Sequence, residues 1–144
     1  MLVKTRDFGE IDVQEKDILE FPEGVFAFED DHRFVLISPC GENKYPMWLQ
    51  SVDNENLCFI LFNPFEFCEN YSITFKDSEL EKINVGDDTP VSYFVIAVVP
   101  EKYVETTVNL KSPIIINNEN GKGIQVIAAE DYPLKYPAFT KEDA

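Results

Sequence analysis

Short runs of hydrophobic residues alternate with polar turn residues along most of the chain. The runs are rich in Val, Ile, Phe and Thr, which favour strands, and most are only four to seven residues long. Many short strands at close spacing are typical of an antiparallel barrel or sandwich. The predicted strands are residues 2–6, 10–13, 17–21, 33–38, 46–52, 57–62, 71–75, 91–99, 106–110, 113–117 and 123–128.

Turn residues between these runs predict how neighbouring strands connect. The segment NNENGKG joins two β-rich runs, and Asn120-Gly121 supplies the positive φ that a hairpin tip requires. Asp7-Phe8-Gly9 is a similar candidate between the first two strands. VSYFVIAVV, residues 91–99, is the longest apolar run, which predicts a central strand buried on both faces.

One segment, SELEKINVG, has a helical pattern instead. Ser78 and Glu81 have the spacing of a capping box, and Gly86 is placed to end a helix of about two turns. Leu80 and Ile83 would pin that helix to the sheet. The predicted fold class is therefore all-β, a small antiparallel β-barrel with one short helix near residues 78–85. We expect a single domain over residues 1–144, with a frayed tail from about residue 139.

The charge balance narrows the kinds of partner. The chain of 144 residues has 27 Asp and Glu against 12 Lys and Arg, a net charge of −15. Phosphate binding requires a basic face, so direct nucleic-acid binding and an anionic membrane surface are disfavoured. A basic protein partner is favoured, although solubility alone explains the charge equally well. The chain has neither a signal-like N-terminus nor an apolar run of membrane-spanning length, which predicts a cytoplasmic location.

Few residues form a sequence pattern that is typical of a catalytic site or a metal site. His32 is the only histidine, and the two aspartates before it are consecutive residues, which rarely converge on one ion. Cys58 and Cys68 lie in apolar runs that disfavour a thiolate, which leaves Cys40 as the plausible exposed thiol. The sequence predicts no metal, no cofactor and no disulfide, and it favours a binding protein over an enzyme.

Clustered aromatic residues are the remaining feature that indicates function. FPEGVFAFED places Phe21, Phe26 and Phe28 around a Pro-Glu-Gly turn, and Phe65 and Phe67 alternate with Glu66 after a later strand. In an extended chain, alternate residues point to the same side. These aromatic side chains either belong to the core or form an exposed apolar surface for a partner.

Four motifs occur in a defined order, FPEGVFAFED, WLQSVDN, VNLKSPIIIN and DYPLKYP. Their order and spacing resemble the FliW family of flagellar assembly factors. The resemblance runs from FGEIDV to Pro137, nearly the whole chain. Each motif alone is weak, whereas four in order at a matching total length are specific.

The resemblance implies a mostly antiparallel β-barrel with a short helix and no catalytic activity. FliW proteins bind flagellin, the filament subunit, in the cytoplasm. They also bind CsrA, a small dimeric RNA-binding protein that represses translation of flagellin mRNA. When flagellin is exported, freed FliW binds CsrA and relieves the repression. The expected partners are thus flagellin and CsrA, and a strongly acidic chain suits a partner whose RNA-binding surface must be basic.

The resemblance also implies roles for individual residues. Positions expected to maintain the fold are Phe21, Pro22, Gly24, Phe28, Trp48, Gln50, Asn109, Pro113, Tyr132 and Pro133. Candidates for partner contact are Phe26, Glu23, Glu29, Phe65, Phe67 and Asn117. Family members often have Pro-Gly where this chain has Phe26-Ala27. We therefore expect Phe21 and Phe28 to anchor the core and Phe26 to be exposed at the tip of the turn.

Two alternatives stay open at this point. The chain can be an acidic β-barrel adaptor or chaperone for a different basic or amphipathic client, in which case flagellin and CsrA would not dominate its bound fraction. It can also be a small hydrolase, which would require a deep polar pocket with a strongly shifted carboxylate, or an exposed Cys40.

Overall fold

The computed structural model describes residues 1–42, 44–74 and 76–139, and these residues form mostly β-strands. The strands are β1 (Leu2–Lys4), β2 (Glu10–Asp12), β3 (Ile18–Glu20), β4 (Arg33–Ile37), β5 (Met47–Ser51), β6 (Cys58–Phe62), β7 (Val91–Val98), β8 (Thr107–Val108), β9 (Ile114–Asn117), β10 (Gly123–Gln125) and β11 (Tyr136–Pro137). The helices are α1 (Asp77–Lys82) and three 3₁₀ turns at Glu15–Asp17, Pro64–Glu66 and Tyr103–Glu105. The predicted all-β class is confirmed.

All the strand pairs within the named strands are antiparallel. The main sheet follows the order β10-β9-β7-β6-β5-β4-β3, and β8 joins it by pairing with both β7 and β11. β1 and β2 form a separate hairpin. The predicted turns are confirmed, since Gly9 and Gly121 have φ of +67° and +72° at the tips of the β1–β2 and β9–β10 hairpins. Antiparallel neighbours of this kind need only short connections.

The two end strands of the main sheet, β3 and β10, approach each other at one point. The backbone N–H of Glu20 donates to the carbonyl oxygen of Gly121 at 2.9 Å, and Glu20 forms an isolated bridge with Lys122. No ladder joins β3 to β10 beyond this bridge within the described ranges. The sheet is therefore curved onto itself at a single contact, and no strand among the described residues lies beside the edge of β10 past Gly123.

The largest core cluster is formed mainly by side chains from the strands of the main sheet. Phe21, Phe34, Leu49, Leu61 and Ile114 are completely buried there. The rings of Phe21 and Phe34 meet edge to face with centroids 5.3 Å apart, an arrangement that aromatic pairs prefer. Burying each such side chain contributes about 1.5–3 kcal/mol. The prediction that Phe21 anchors the core is confirmed.

The central position of β7 is confirmed, but its burial on both faces is limited to its middle. β7 pairs with β6, β8 and β9, and its residues Phe94 and Val95 are buried. Its last residue, Val98, is exposed. β7 therefore supplies the centre of the sheet, but its end contributes apolar surface.

The predicted strand at residues 71–75 was wrong for the residues that the structure describes. Residues 71–74 have no regular structure, and Phe75 lies outside the described residues. Tyr71 is instead held by a long-range contact, since its hydroxyl donates to the carbonyl oxygen of Leu110 at 2.6 Å. The short strand β11 was not predicted, because it exists only through its pairing with β8.

Helix α1 is shorter than predicted and has different ends. It begins after Lys76, whose side chain makes no capping bond, so Ser78 lies inside the helix and forms no capping box. It ends at Lys82, and Asn84 adopts the left-handed conformation expected of Gly86, with φ of 60°. Asn tolerates that conformation better than most residues. Ile83 is completely buried, so the predicted attachment to the sheet is confirmed.

Candidate functional site

The Pro-Glu-Gly segment leads into a tight turn at residues 25–28. The backbone N–H of Phe28 donates to the carbonyl oxygen of Val25 at 2.7 Å, which closes the turn. Ala27, the third residue of the turn, has φ of 72°, a left-handed conformation that favours glycine. The side chain of Phe26, at the second position, is 44% exposed. The predicted exposure of Phe26 is confirmed, and we call residues 25–28 the tip turn.

Gly24 sets the backbone path before the tip turn. Its φ is +70°, and a Cβ atom built on it would lie 2.6 Å from both the Cα of Glu29 and the carbonyl oxygen of Phe28. Both contacts are with backbone, so a side chain cannot be accommodated by a rotamer change. Only glycine allows the chain to fold back so closely.

The expectation that Phe28 anchors the core was wrong. Its side chain is 40% exposed. The ring makes an edge contact with Phe59 at 5.6 Å, which covers one side and leaves the other in solvent. The tip turn interrupts the extended chain at this point. The spacing of Phe26 and Phe28 in the sequence therefore does not show how deeply either side chain is buried.

Phe26 forms one wall of a groove along the free edge of β10. This groove, which we call the edge groove, has a volume of about 520 Å³. Its floor is formed by residues 124–129, and its other wall is α1 and the residue before it. Its lining side chains outside the floor are Glu23, Phe26, Lys76, Glu79 and Lys82. The exposed side chain of Ile127, 62% accessible, lies on the floor.

Two contacts fix the walls of the edge groove. The buried amide of Gln125 accepts a hydrogen bond from the Phe26 N–H through Oε1 at 2.9 Å, and its Nε2 donates to the Ser112 carbonyl at 3.1 Å. An ion pair joins the Lys82 ammonium to the Glu23 carboxylate at 2.9 Å. Both partners are about half exposed, so solvent screening leaves that pair a small share of stability.

A second surface, next to the tip turn, is acidic. The Asp31 N–H donates to the Phe28 carbonyl at 3.2 Å, and the acidic residues Glu29, Asp30 and Asp31 follow the exposed Phe28 directly in the chain. The Ser51 hydroxyl donates to Asp31 at 3.4 Å. We call residues 28–31 the acidic turn. Glu29 also accepts a hydrogen bond from the Ala27 N–H at 3.3 Å, so its side chain folds back over the tip turn.

Comparisons with known proteins converge on one family. A family model described as FliW protein matches residues 2–138. The chain belongs to the FliW family. The flagellar assembly factor FliW of Caldicellulosiruptor bescii is 41% identical, covering 96% of this chain and 90% of its own. That of Ruminiclostridium cellulolyticum is 37% identical over 94% and 93%. A crystal structure of the flagellar assembly factor FliW superposes with a TM-score of 0.90 at 32% identity, covering 99% of both chains.

Two FliW motif residues of β5 tie the N-terminal hairpin to the main sheet. Gln50 is completely buried, and its Oε1 accepts the N–H of Arg6 at 3.0 Å while its Nε2 donates to the Leu57 carbonyl at 3.2 Å. The indole N–H of Trp48 donates to Asp7 at 3.1 Å, and its ring meets Phe8 edge to face at 5.3 Å. Gln50 and Trp48 therefore hold β5 against the segment that joins β1 to β2.

Residues of the third and fourth FliW motifs hold the C-terminal segment against the loops that precede β9 and α1. The side-chain oxygen of Asn109 accepts the N–H groups of Lys111 and Ser112, each at 3.0 Å, just before the buried Pro113. The Tyr132 hydroxyl bonds both backbone groups of Ser72 at 3.0 Å. Pro22 and Pro133 are both exposed, and the Pro133 carbonyl accepts the Leu110 N–H at 3.1 Å.

Asn117, expected at a partner surface, is buried. Its side-chain nitrogen donates to the Ile83 carbonyl at 2.8 Å, and its side-chain oxygen accepts the N–H of Glu119 at 2.9 Å. These bonds join the end of α1 to the β9–β10 hairpin. The side chain is not presented to solvent, so the structure corrects the expectation that it contacts a partner.

Phe65 and Phe67 do not lie side by side as expected. Pro64–Glu66 is a 3₁₀ turn rather than an extended segment, so the alternation rule does not apply. Phe65 is exposed and contacts Tyr71 and Tyr93, with centroids 6.0 and 5.9 Å apart. Phe67 is half-buried against Phe62 at 5.9 Å. They therefore belong to two separate contacts, both away from the edge groove.

The cysteines and the histidine, which were the candidates for catalysis or metal binding, lie in the following surroundings. Burial raises the pKa of the Cys58 thiol to about 11, which keeps it protonated at neutral pH. Cys40 is exposed and Cys68 half-buried. His32 Nδ1 lies 2.9 Å from the Phe21 carbonyl oxygen, which accepts a hydrogen bond from it. Within residues 1–42, 44–74 and 76–139, no group of three His, Cys, Asp or Glu side chains is arranged to hold a metal ion.

Sequence reasoning missed Ile127 and one apolar cleft. Ile127 lay in a predicted strand, but its exposure depends on the absence of a strand beside β10. The cleft has a volume of about 490 Å³ and is lined mainly by Tyr45, Trp48, Phe62, Val99, Tyr103 and Phe139. In the sequence, the only sign of this cleft is the run of apolar residues that follows β7. No helix among the described residues is long and apolar enough to cross a membrane.

Proposed function

We propose that this flagellar assembly factor is a non-enzymatic sensor of flagellin in the cytoplasm. In this proposal it binds flagellin and, when free of flagellin, binds CsrA and relieves its repression of flagellin mRNA. It needs no cofactor and contacts neither nucleic acid nor membrane. The family membership and the names of the relatives, which are flagellar assembly factors, support the general role.

The edge groove is the observation that best supports the proposed binding of flagellin. Phe26 on one wall and Ile127 on the floor both expose apolar surface in this groove. Burying apolar surface against a partner is favourable at roughly 25 cal/mol per Å² before the costs of association. An amphipathic segment placed in such a groove makes the apolar contacts that these two side chains lack.

The acidic turn and the net charge support the CsrA-binding part. A protein of charge −15 attracts a basic RNA-binding protein over a distance and repels competing RNA. The exposed Phe28 is followed directly by Glu29, Asp30 and Asp31 and provides an apolar side chain next to these acidic residues. Aromatic anchors inside a charged rim are common in protein interfaces.

A purified translation assay tests the proposed function. Flagellin mRNA is translated with CsrA present, then with this protein added, then with flagellin added as well. The expected result is repression, its relief, and its return. If this protein never relieves repression and binds neither purified partner, the proposal is wrong. If it holds a different basic or amphipathic client instead, the adaptor alternative replaces it.

A further inference from the structure

We infer that the edge groove receives its partner as an added β-strand along residues 125–129, an inference that rests on the proposed binding of flagellin. The occupant to which we commit is an extended segment of flagellin with apolar side chains at alternate positions. Its backbone would bond the outer edge of β10 while its side chains contact Phe26 and Ile127.

The backbone pattern of this segment carries the inference. The Val126 N–H donates to the Pro113 carbonyl at 3.1 Å, and the Ala128 N–H donates to the Lys111 carbonyl at 2.8 Å. In an antiparallel ladder, the residues between such pairs direct their N–H and C=O groups to the other side. Gln125 and Ile127 therefore present theirs to the edge groove.

Those outward groups are available to a partner. The backbone N–H and C=O of Ile127 form no hydrogen bond with any residue that the structure describes. β3 reaches only the turn before β10, through the contact of Glu20 with Gly121. An uncovered strand edge is a ready template for pairing with another chain, and peptide recognition by strand addition uses it.

The charges around the edge groove favour an apolar segment of another protein over a second copy of this chain. Glu23 and Lys82 neutralise each other across the groove, and Lys76 is balanced by Glu79, so the walls have no net charge. A second copy would place two molecules of charge −15 edge to edge, which repulsion opposes. A neutral groove instead suits an uncharged stretch of a partner.

A matched pair of variants separates backbone pairing from side-chain contact. Ile127→Ala and Ile127→Pro both remove the isoleucine side chain, but only proline also removes the outward N–H. Proline is tolerated on an edge strand whose N–H points away from the sheet. Titration with purified flagellin should show a loss of affinity for Ile127→Pro that is at least tenfold greater than for Ile127→Ala.

Amide hydrogen exchange of the unmodified protein provides a second measurement that does not depend on how the variants fold. Saturation with flagellin should slow exchange at Ile127 at least tenfold. Equal affinities of the two variants together with unchanged exchange at Ile127 would overturn strand addition while flagellin binding itself stands. Failure of the unmodified protein to bind flagellin at all would overturn both this inference and the proposed function.

Discussion

The side chain of Gln125 accepts a hydrogen bond from the backbone N–H of Phe26 at 2.9 Å, across 99 positions of sequence. This bond connects the tip turn to the floor of the edge groove. Because Gln125 is buried and also donates to the Ser112 carbonyl, its side chain is fixed at both ends. The backbone of the tip turn is therefore held against β10 at Phe26, and Phe26 and Ile127 line the same groove.

Phe26→Ala should leave stability nearly intact and weaken flagellin binding about tenfold or more. An exposed truncation changes the free energy of unfolding by about 0.5 kcal/mol or less, whereas loss of an aromatic anchor at an interface costs more than about 1 kcal/mol. Urea denaturation and a flagellin titration measure the two effects.

Phe21→Ala is the matched control for Phe26→Ala. Phe21 is completely buried, so its truncation should cost about 3–5 kcal/mol of stability. If Phe26→Ala destabilises the protein as strongly as Phe21→Ala, Phe26 is part of the core. If it changes neither stability nor affinity, the tip turn has no role in binding.

Ala27→Gly should stabilise the protein by about 1 kcal/mol. The φ of 72° at Ala27 costs an L-residue roughly 1–2 kcal/mol, of which the greater freedom of glycine in the unfolded chain returns part. Gly24→Ala should act in the opposite direction, because its Cβ would lie 2.6 Å from backbone atoms. Equal unfolding free energies for Ala27→Gly and the unmodified protein would show that the turn is relaxed in solution.

The three cysteines should differ in their reaction with a thiol reagent at neutral pH. Cys40 is exposed and should be alkylated first, followed by the half-buried Cys68. Cys58 should react only on unfolding, since burial raises its pKa to about 11 and thiolate is the reactive form. Mass spectrometry of peptides over time gives the order. Early modification of Cys58 in the folded protein would contradict its burial.

Binding to CsrA should weaken as salt rises, mainly through slower association. Charge attraction is screened over about 10 Å at 0.1 M salt, and long-range attraction acts on the rate of encounter. The net charge of −15 makes this effect large. Stopped-flow or surface-based kinetics at low and high salt measure it. An association rate that stays constant across that range would refute electrostatic steering.

Local sequence signals predicted local features well. Gly9 and Gly121 indicated two hairpin turns because glycine, which has no side chain, adopts positive φ whatever residues surround it. The exposure of Phe26 was predictable from its place after Gly24. The capping box at Ser78 failed because the N-cap position is Lys76, two residues earlier, and an acidic Asp77 suits the first turn of a helix equally well.

Features that depend on distant residues were not predictable in the same way. The partial burial of Phe28 depends on its contact with Phe59, and the position of Tyr71 depends on its hydrogen bond to Leu110. The edge groove itself joins the tip turn, α1 and β10, which are far apart in sequence. The sequence contained the apolar residues of this surface, but only the folded chain brings Phe26 and Ile127 together.

The central claim is that this chain binds flagellin directly through the edge groove. Isothermal titration of purified flagellin into the unmodified protein, repeated with Phe26→Ala, tests it most directly. We expect saturable binding to the unmodified protein and an affinity at least about tenfold lower for the variant. The absence of saturable binding to the folded, unmodified protein, or equal affinities of the two proteins, would contradict it.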